Sequence, residues 1–231
     1  MYIQTISNDI LDFSNPSAFR PKLDDIITVL PRVKRFNGHS DVTLESHSIW
    51  VASFLQLNRL QICKDYKLDI HFNHFYSLIV WGLFHDAHEV YTGDIVTPLK
   101  DLVRSRSGTD PIRDLENSLD AVISEHVVKP NFDNPEYQFL GLDFVNQYKH
   151  IIKLADVVAF VYERVISGFD SMHFKAPLPD TIDWSRYHVP NLLQTTCSFG
   201  MIMYDLSKKG FIHLLDSEMD MAQCILMAEN N

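Results

Sequence analysis

His85 and Asp86, with Glu89 and Asp94 shortly after them, close an almost unbroken apolar run of Leu78, Ile79, Val80, Trp81, Leu83 and Phe84. Such a run is the pattern of a segment buried on most sides, and polar groups at its end need partners or a metal ion. On a helix Glu89 lies four residues after His85 and three after Asp86, so its carboxylate shares their side. Two potential ligands with an acid beside them suit the hydrolysis of a phosphate ester, which calls for a divalent cation and a proton-carrying carboxylate held close together. His88 falls about 100° round such a helix from its neighbours, which fits a wall or surface residue better than a ligand.

A cation at His85 and Asp86 needs further ligands from neighbouring buried helices. His47 opens an otherwise apolar segment, where the alternative is a capping or surface histidine. Asp156 stands in Ile151-Ile-Lys-Leu-Ala-Asp156-Val-Val-Ala-Phe160, the most hydrophobic part of the chain. A carboxylate there is costly unless it meets a cation or pairs with Lys153 or Arg164. Together, two imidazoles and two carboxylates make a site suited to one divalent ion, Mn2+, Fe2+, Co2+, Ni2+, Zn2+ or Mg2+, with positions open for water and substrate. Lys100, Arg104 and Arg106 follow the motif as candidates to neutralise a phosphate chain, or simply as solvated charges.

Helices must position these groups. Apolar residues at 23, 26, 27 and 30, the cluster between His47 and Leu60, and Leu115, Leu119, Val122, Ile123 and Val127 each describe a helix, the last with Asp114 as a possible cap. Three- and four-residue steps from Phe139 to Ile166 predict one long core helix. Further helices are expected at about 192–208 and 211–228, divided by Gly210. The long segment Gly168 to Asn191, with Pro177, Pro179 and Pro190, reads as a surface flap with no catalytic part, or else as a lid or a packed cover. The expected architecture is one all-α helical domain over 1–231, with a core at about 10–166 and a C-terminal loop and helices over 167–231.

Composition bounds the function. Of 231 residues 46% are hydrophobic and 22% charged, the balance of a soluble globular protein, and no apolar run approaches the ~18 residues of a membrane span. The amino terminus lacks the basic cluster and apolar core of a secretory signal, so a cytoplasmic location is expected, the host cytoplasm if the chain is phage-encoded. Cys63, Cys197 and Cys224 form no C-x-x-C pair, which argues for reduced packing residues. A formal net charge of −10 disfavours a polymeric nucleic-acid partner but leaves small anions possible. Gly-rich phosphate cradles and the G-x-S-x-G elbow are missing.

Three motifs carry a resemblance: Glu45-Ser-His47-Ser; His85-Asp86-Ala-His-Glu89-Val-Tyr-Thr-Gly-Asp94-Ile-Val-Thr-Pro98-Leu-Lys100; and Lys153-Leu-Ala-Asp156. With Leu23-Asp-Asp-Ile to Arg35-Phe36-Asn37-Gly38-His39, they resemble the HD-domain phosphohydrolase superfamily over about residues 10–166, and within it the bacterial 5'-deoxynucleotidases and phage deoxynucleotide phosphohydrolases. The resemblance implies an HD-domain helical bundle. His47, His85, Asp86 and Asp156 would hold the ion, Glu89 would move the proton, and Asp94 would orient the sugar or assist the water. Arg35 would hold the phosphate, and Phe36 would take the place of a Trp beside the nucleoside. The spacing of 12 from Arg35 to His47 is shorter than in relatives, which admits Arg32 or Lys34 instead. His39 is either a turn residue or a group near substrate.

The resemblance further implies direct hydrolysis with no covalent phosphoenzyme, a small deoxynucleotide substrate, and homo-oligomers. The same ester bond is cut in a monophosphate, releasing phosphate, and in a triphosphate such as dATP, releasing triphosphate. A different class, a non-catalytic HD-like module that senses nucleotide or holds a partner, is countered by the retention of Glu89 and Asp94.

Overall fold

Two helices, α2 and α4, are buried along most of their length and form the centre of the molecule. The computed structural model describes residues 1–169, 178, 179, 181–190, 198–210, 212, 219 and 220. In chain order the helices are α1 (Leu23–Val29), α2 (Leu44–Leu57), α3 (Arg59–Asp65), α4 (Phe72–Phe84), α5 (Glu89–Thr92), α6 (Thr97–Ser107), α7 (Pro111–Ile123), α8 (Lys129–Asn131), α9 (Leu142–Gln147), α10 (Lys149–Ile166) and α11 (Phe199–Lys209). Strands β1 (Tyr2–Gln4) and β2 (Ile10–Asp12) pair antiparallel, as do β3 (His188–Val189) and β4 (Met219–Asp220). The all-α expectation holds, and among the described residues no helix is long and apolar enough to cross a membrane.

Local chemistry sets where the central helices start and how near they lie. Thr43 caps α2 by accepting from the Ser46 N–H at 3.2 Å, which satisfies one of the free donors of the first turn. In α4, Gly82 permits close approach: a Cβ there would stand 2.7 Å from Leu55 Cδ1 and 3.6 Å from the Ala52 backbone. Trp50 of α2 stacks on Tyr162 of α10 with ring centroids 5.5 Å apart, joining the third core helix to the pair. These contacts bring one end of each of α2 and α4 to the middle of α10.

Several expected boundaries move. The predicted helix 139–166 is two helices, because Tyr148 leaves helical geometry (φ −117°, ψ 20°). Apolar spacing runs on across that joint, so periodicity alone does not reveal it. The cap of α7 is Asp110, which accepts from the Arg113 N–H at 3.3 Å, and not Asp114. Pro111, with its preset φ, begins the helix one residue later. Within the predicted helix 211–228, residues 219–220 instead form β4 against β3. Residues 192–197 and most of 211–228 lie outside the described residues, as do Cys197 and Cys224.

The described part of the 168–191 segment is a packed cover. Tyr187 and Val189 are buried, Tyr187 donates its hydroxyl to Asp65 at 3.0 Å, and Asn58 exchanges two hydrogen bonds with the backbone of His188 at 2.7 and 2.8 Å. Residues 187 and 188 seal the far end of α2, Pro190 O accepts from Trp50 nearer His47, and Phe169 packs on the Phe36 ring.

Candidate metal and active site

Helix α4 stops at Phe84, and residues 85–88 continue as tight turns in which Ala87 N–H donates to Phe84 O at 2.9 Å and Glu89 N–H to Asp86 O at 3.0 Å. In such turns, bonded three residues apart, side chains at that spacing eclipse, so His88 lines up with His85 and Glu89 with Asp86. His47 arrives from the first turn of α2 and Asp156 from the middle of α10.

The ligating atoms converge. His47 Nε2 lies 3.3 Å from His85 Nε2 and 3.4 Å from both Asp86 Oδ2 and Asp156 Oδ1, and His85 Nε2 lies 3.4 Å from Asp86 Oδ2. A tetrahedron with ion–ligand distances of about 2.1 Å has edges of about 3.4 Å, so these spacings fit a small divalent ion. The tightest group is His47, His85 and Asp86, whose ligand atoms all lie within 4.8 Å of one another. Asp156 adjoins it through His47, while its other oxygen pairs with Lys153 Nζ at 2.6 Å. The salt bridge and the site contact are thus both made.

Each histidine presents a defined nitrogen. His47 Nδ1–H donates to Glu163 Oε1 at 2.6 Å, and His85 Nδ1–H donates to the Gly82 carbonyl at 2.8 Å. Both leave Nε2 facing the cluster, which is how outer partners fix metal-binding imidazoles. Burial holds His85 below its ordinary pKa, against the opposing pull of Asp86. For His47, burial and Arg35 oppose charging, but Glu163 and Asp156 outweigh them and lift it to about 10. Burial raises the Asp86 pKa, yet the neighbouring His85, His47 and Arg35 bring it down to about 2. Asp156 is likewise held well below its usual range, the His47 contact overcoming burial.

Glu163 escapes the sequence reading. It is fully buried and touches both His47 and, through Oε2, Arg35 Nε at 3.4 Å. It lies seven residues after Asp156, two turns along the same face of α10. That interval is the one signal that would have found it.

Arg35 sits on a short antiparallel excursion in which Arg35 N–H donates to Val42 O at 2.9 Å and Leu44 N–H to Val33 O at 2.9 Å. Its guanidinium reaches Asp86 Oδ2 at 3.2 Å as well as Glu163. Burial disfavours its charge, but Glu163 and Asp86 more than compensate and raise its pKa. Arg32 is exposed, and Lys34 turns to Asp41 at 2.5 Å. Of the three cations, Arg35 is the one at the cluster despite the shortened spacing.

Phe36 and Asn37 take left-handed φ values of 55° and 54°. The Phe36 ring meets Phe160 at 5.7 Å and Phe169 at 5.1 Å, an aromatic group beside Arg35. Asn37 N–H reaches Asp94 Oδ2 at 3.5 Å, bringing Asp94 next to the same turn. His39 is exposed and lines a cleft of about 380 Å3 with Ser40, Asp41, Ile166 and Ser167, a lining that does not include the His85–Asp86 pair.

Glu89 is 4% exposed, and its Oε2 is buried with no hydrogen-bond partner. Burial first, and then Asp86 and Asp94, push its pKa well above the usual carboxyl range. A buried carboxyl with a raised pKa in a polar cluster has the properties of an acid/base group. Lys100 Nζ stands 3.9 Å from Glu89 Oε1 and 2.7 Å from Glu116. Arg104 pairs with Asp101 and with Asp110, both at the surface.

Residues 25–166 match a family model described as 5'-deoxynucleotidase YfbR-like. No curated protein matches the chain.

Proposed function

The chain belongs to the YfbR-like 5'-deoxynucleotidase family of HD-domain proteins, and we propose that it hydrolyses the bond between the C5' oxygen and the first phosphate of a deoxynucleoside monophosphate in a metal-dependent reaction. The observation that supports this most directly is the convergence of His47, His85 and Asp86 beside the unpartnered carboxyl oxygen of Glu89. Asp156 completes the proposed ligand set through His47. When bound there, a divalent ion supplies Lewis acidity toward the phosphoryl oxygens and acidifies the attacking water.

The chain's own residues supply the rest. Arg35 exchanges its hold on Asp86 for the phosphate, stabilising the charge spread over the phosphoryl oxygens in the transition state. Glu163 keeps a carboxylate behind Arg35 and His47 throughout, so neither has to reorient alone. Glu89 Oε2 takes the proton of the attacking water and passes it to the C5' oxygen as that oxygen leaves the phosphorus, the raised pKa bringing its basicity nearer neutrality. Asp94, held at the Asn37 turn, orients the sugar, and Phe36 offers a ring to the base. His39 extends the binding surface on the outer side of the excursion.

A monophosphate is favoured over a triphosphate because two of the three cations that would neutralise a longer chain are paired with acids of this chain. Lys100 is held by Glu116 and Arg104 by Asp101 and Asp110. A panel of deoxynucleoside mono-, di- and triphosphates with several divalent ions, with products separated by chromatography, tests this. Orthophosphate from monophosphates alone is the expected result; triphosphate release from dATP would overturn the substrate class. Glu89→Ala that still releases phosphate at the wild-type rate would leave a binding module as the better reading.

A further inference from the structure

We propose that Asp86, His88 and Glu89 form a second divalent-cation site that shares Asp86 with the first. One ligand atom from each of the three lies within 4.8 Å of the others, and two of those residues carry buried atoms with no partner. His88 is 6% exposed with Nε2 unbonded, and Glu89 is 4% exposed with Oε2 unbonded.

His88 is built as the two ligand histidines are. His47 gives its Nδ1–H to Glu163, His85 to the Gly82 carbonyl, and His88 to Asp120 Oδ1 at 2.9 Å. In all three the second nitrogen is turned inward. A carboxylate behind a buried imidazole is the usual support of a metal-binding histidine. Glu116 Oε1, 3.9 Å from His88 Nε2, adds a further acid on the same side.

Charge points the same way. Asp86, Glu89, Glu116 and Asp120 crowd this side, against Lys100 at the Glu89 Oε1 edge. Lys100 meets Oε1, so Oε2 remains for an ion. A carboxylate such as Asp86, with two oxygens, can serve an ion on each, and paired ions about 3.5–4 Å apart are a common arrangement for phosphate chemistry. Binding an ion through Oε2 and accepting a proton at Oε2 exclude each other, so filling the second site takes Glu89 out of proton transfer.

This inference rests on the reading of Asp86 as a ligand of the first site, and a binding experiment separates the two. The full-length protein, freed of metal, is equilibrated with Mn2+; bound metal is counted by mass spectrometry and its coupling read by electron paramagnetic resonance. Wild type is expected to take up two ions per chain, with the isolated-ion signal giving way to a coupled one at full loading. His88→Ala should keep one ion and lose the coupling. Asp120→Asn, which preserves shape and keeps the test open if His88→Ala does not fold, should weaken the second ion about 10–100-fold. One ion in wild type, or two that both variants bind equally well, would overturn the second site and leave the deoxynucleotide reading standing. No bound ion in wild type would overturn both.

Discussion

Replacing Glu163 with Gln changes one atom type at a fully buried position and should loosen the site without touching substrate. In the native chain Glu163 Oε1 receives the His47 proton at 2.6 Å and Oε2 faces Arg35 at 3.4 Å. The amide can still accept from His47, but its NH2 then points at the guanidinium. Loss of a charged outer partner typically weakens metal binding 10–100-fold, equivalent to about 1.4–2.7 kcal/mol. Breaking a buried ion pair costs about 3–5 kcal/mol; because Arg35 keeps Asp86, the expected loss of stability is nearer about 2–3 kcal/mol. For a chain of this size that lowers the melting temperature by roughly 5–10 °C. Calorimetric titration with Mn2+, melting curves and deoxynucleotide turnover at increasing Mn2+ measure the three effects. Much of the lost turnover should return as Mn2+ is raised just far enough to refill the first site, since Glu163 acts through His47 and Arg35. A Glu163→Gln protein that binds Mn2+ as tightly as wild type would refute the reasoning.

Other consequences are equally direct. Glu89→Gln should lower turnover about 10²–10⁴-fold, yet raise the melting temperature by a few degrees, because a buried carboxyl whose Oε2 has no partner costs about 1–3 kcal/mol. An unchanged or lower melting temperature would show that the carboxyl is satisfied in solution. His88 is buried, which disfavours its charge, but Asp120 lifts its pKa from 6.5 to about 9. The pair's stabilisation is therefore full below pH 6.5 and lost as pH rises through about 9. Burial holds Asp120 itself above its usual range, so the net effect is smaller than the imidazole shift implies, about 1–2 kcal/mol. Asp120→Asn should flatten the alkaline decline expected in melting temperature against pH. Gly82→Ala forces a methyl against Leu55 and should cost about 1–3 kcal/mol while weakening Mn2+ binding; a fully wild-type titration would contradict the close-approach argument. Mn2+ at 100 times its dissociation constant should stabilise the fold by about 2.7 kcal/mol, read as a melting shift that a chelator reverses.

What the sequence discloses depends on how local each signal is. His85, Asp86 and Glu89 are legible because an apolar run ends on them, and Asp156 because it is an acid in an apolar stretch. His88 is buried, as a wall residue would be and a surface residue would not; the 100° rotation behind that reading assumes a helix that ends at Phe84. Glu163, flanked by Tyr162 and Arg164, reads as an ordinary acid near a helix end, and only packing of α10 against α2 buries it. The pairing of β3 with β4 joins segments distant in the chain, which periodicity does not report, and the break at Tyr148 leaves the apolar spacing unchanged. Arg35 is found through the resemblance, but its place against Asp86 follows from the hydrogen-bonded excursion between Val33 and Leu44.

Helix α10 carries Asp156 and Glu163 on one rigid rod, two turns apart. A small roll of that rod moves the acid in front of His47 and the acid behind it together, like two teeth on one gear. Substitutions that let α10 turn against α2, at Ala155, Ala159 or Tyr162 for example, therefore detune both at once. Their effects on ion affinity should not add to that of Glu163→Gln, although none of the three adjoins the ion.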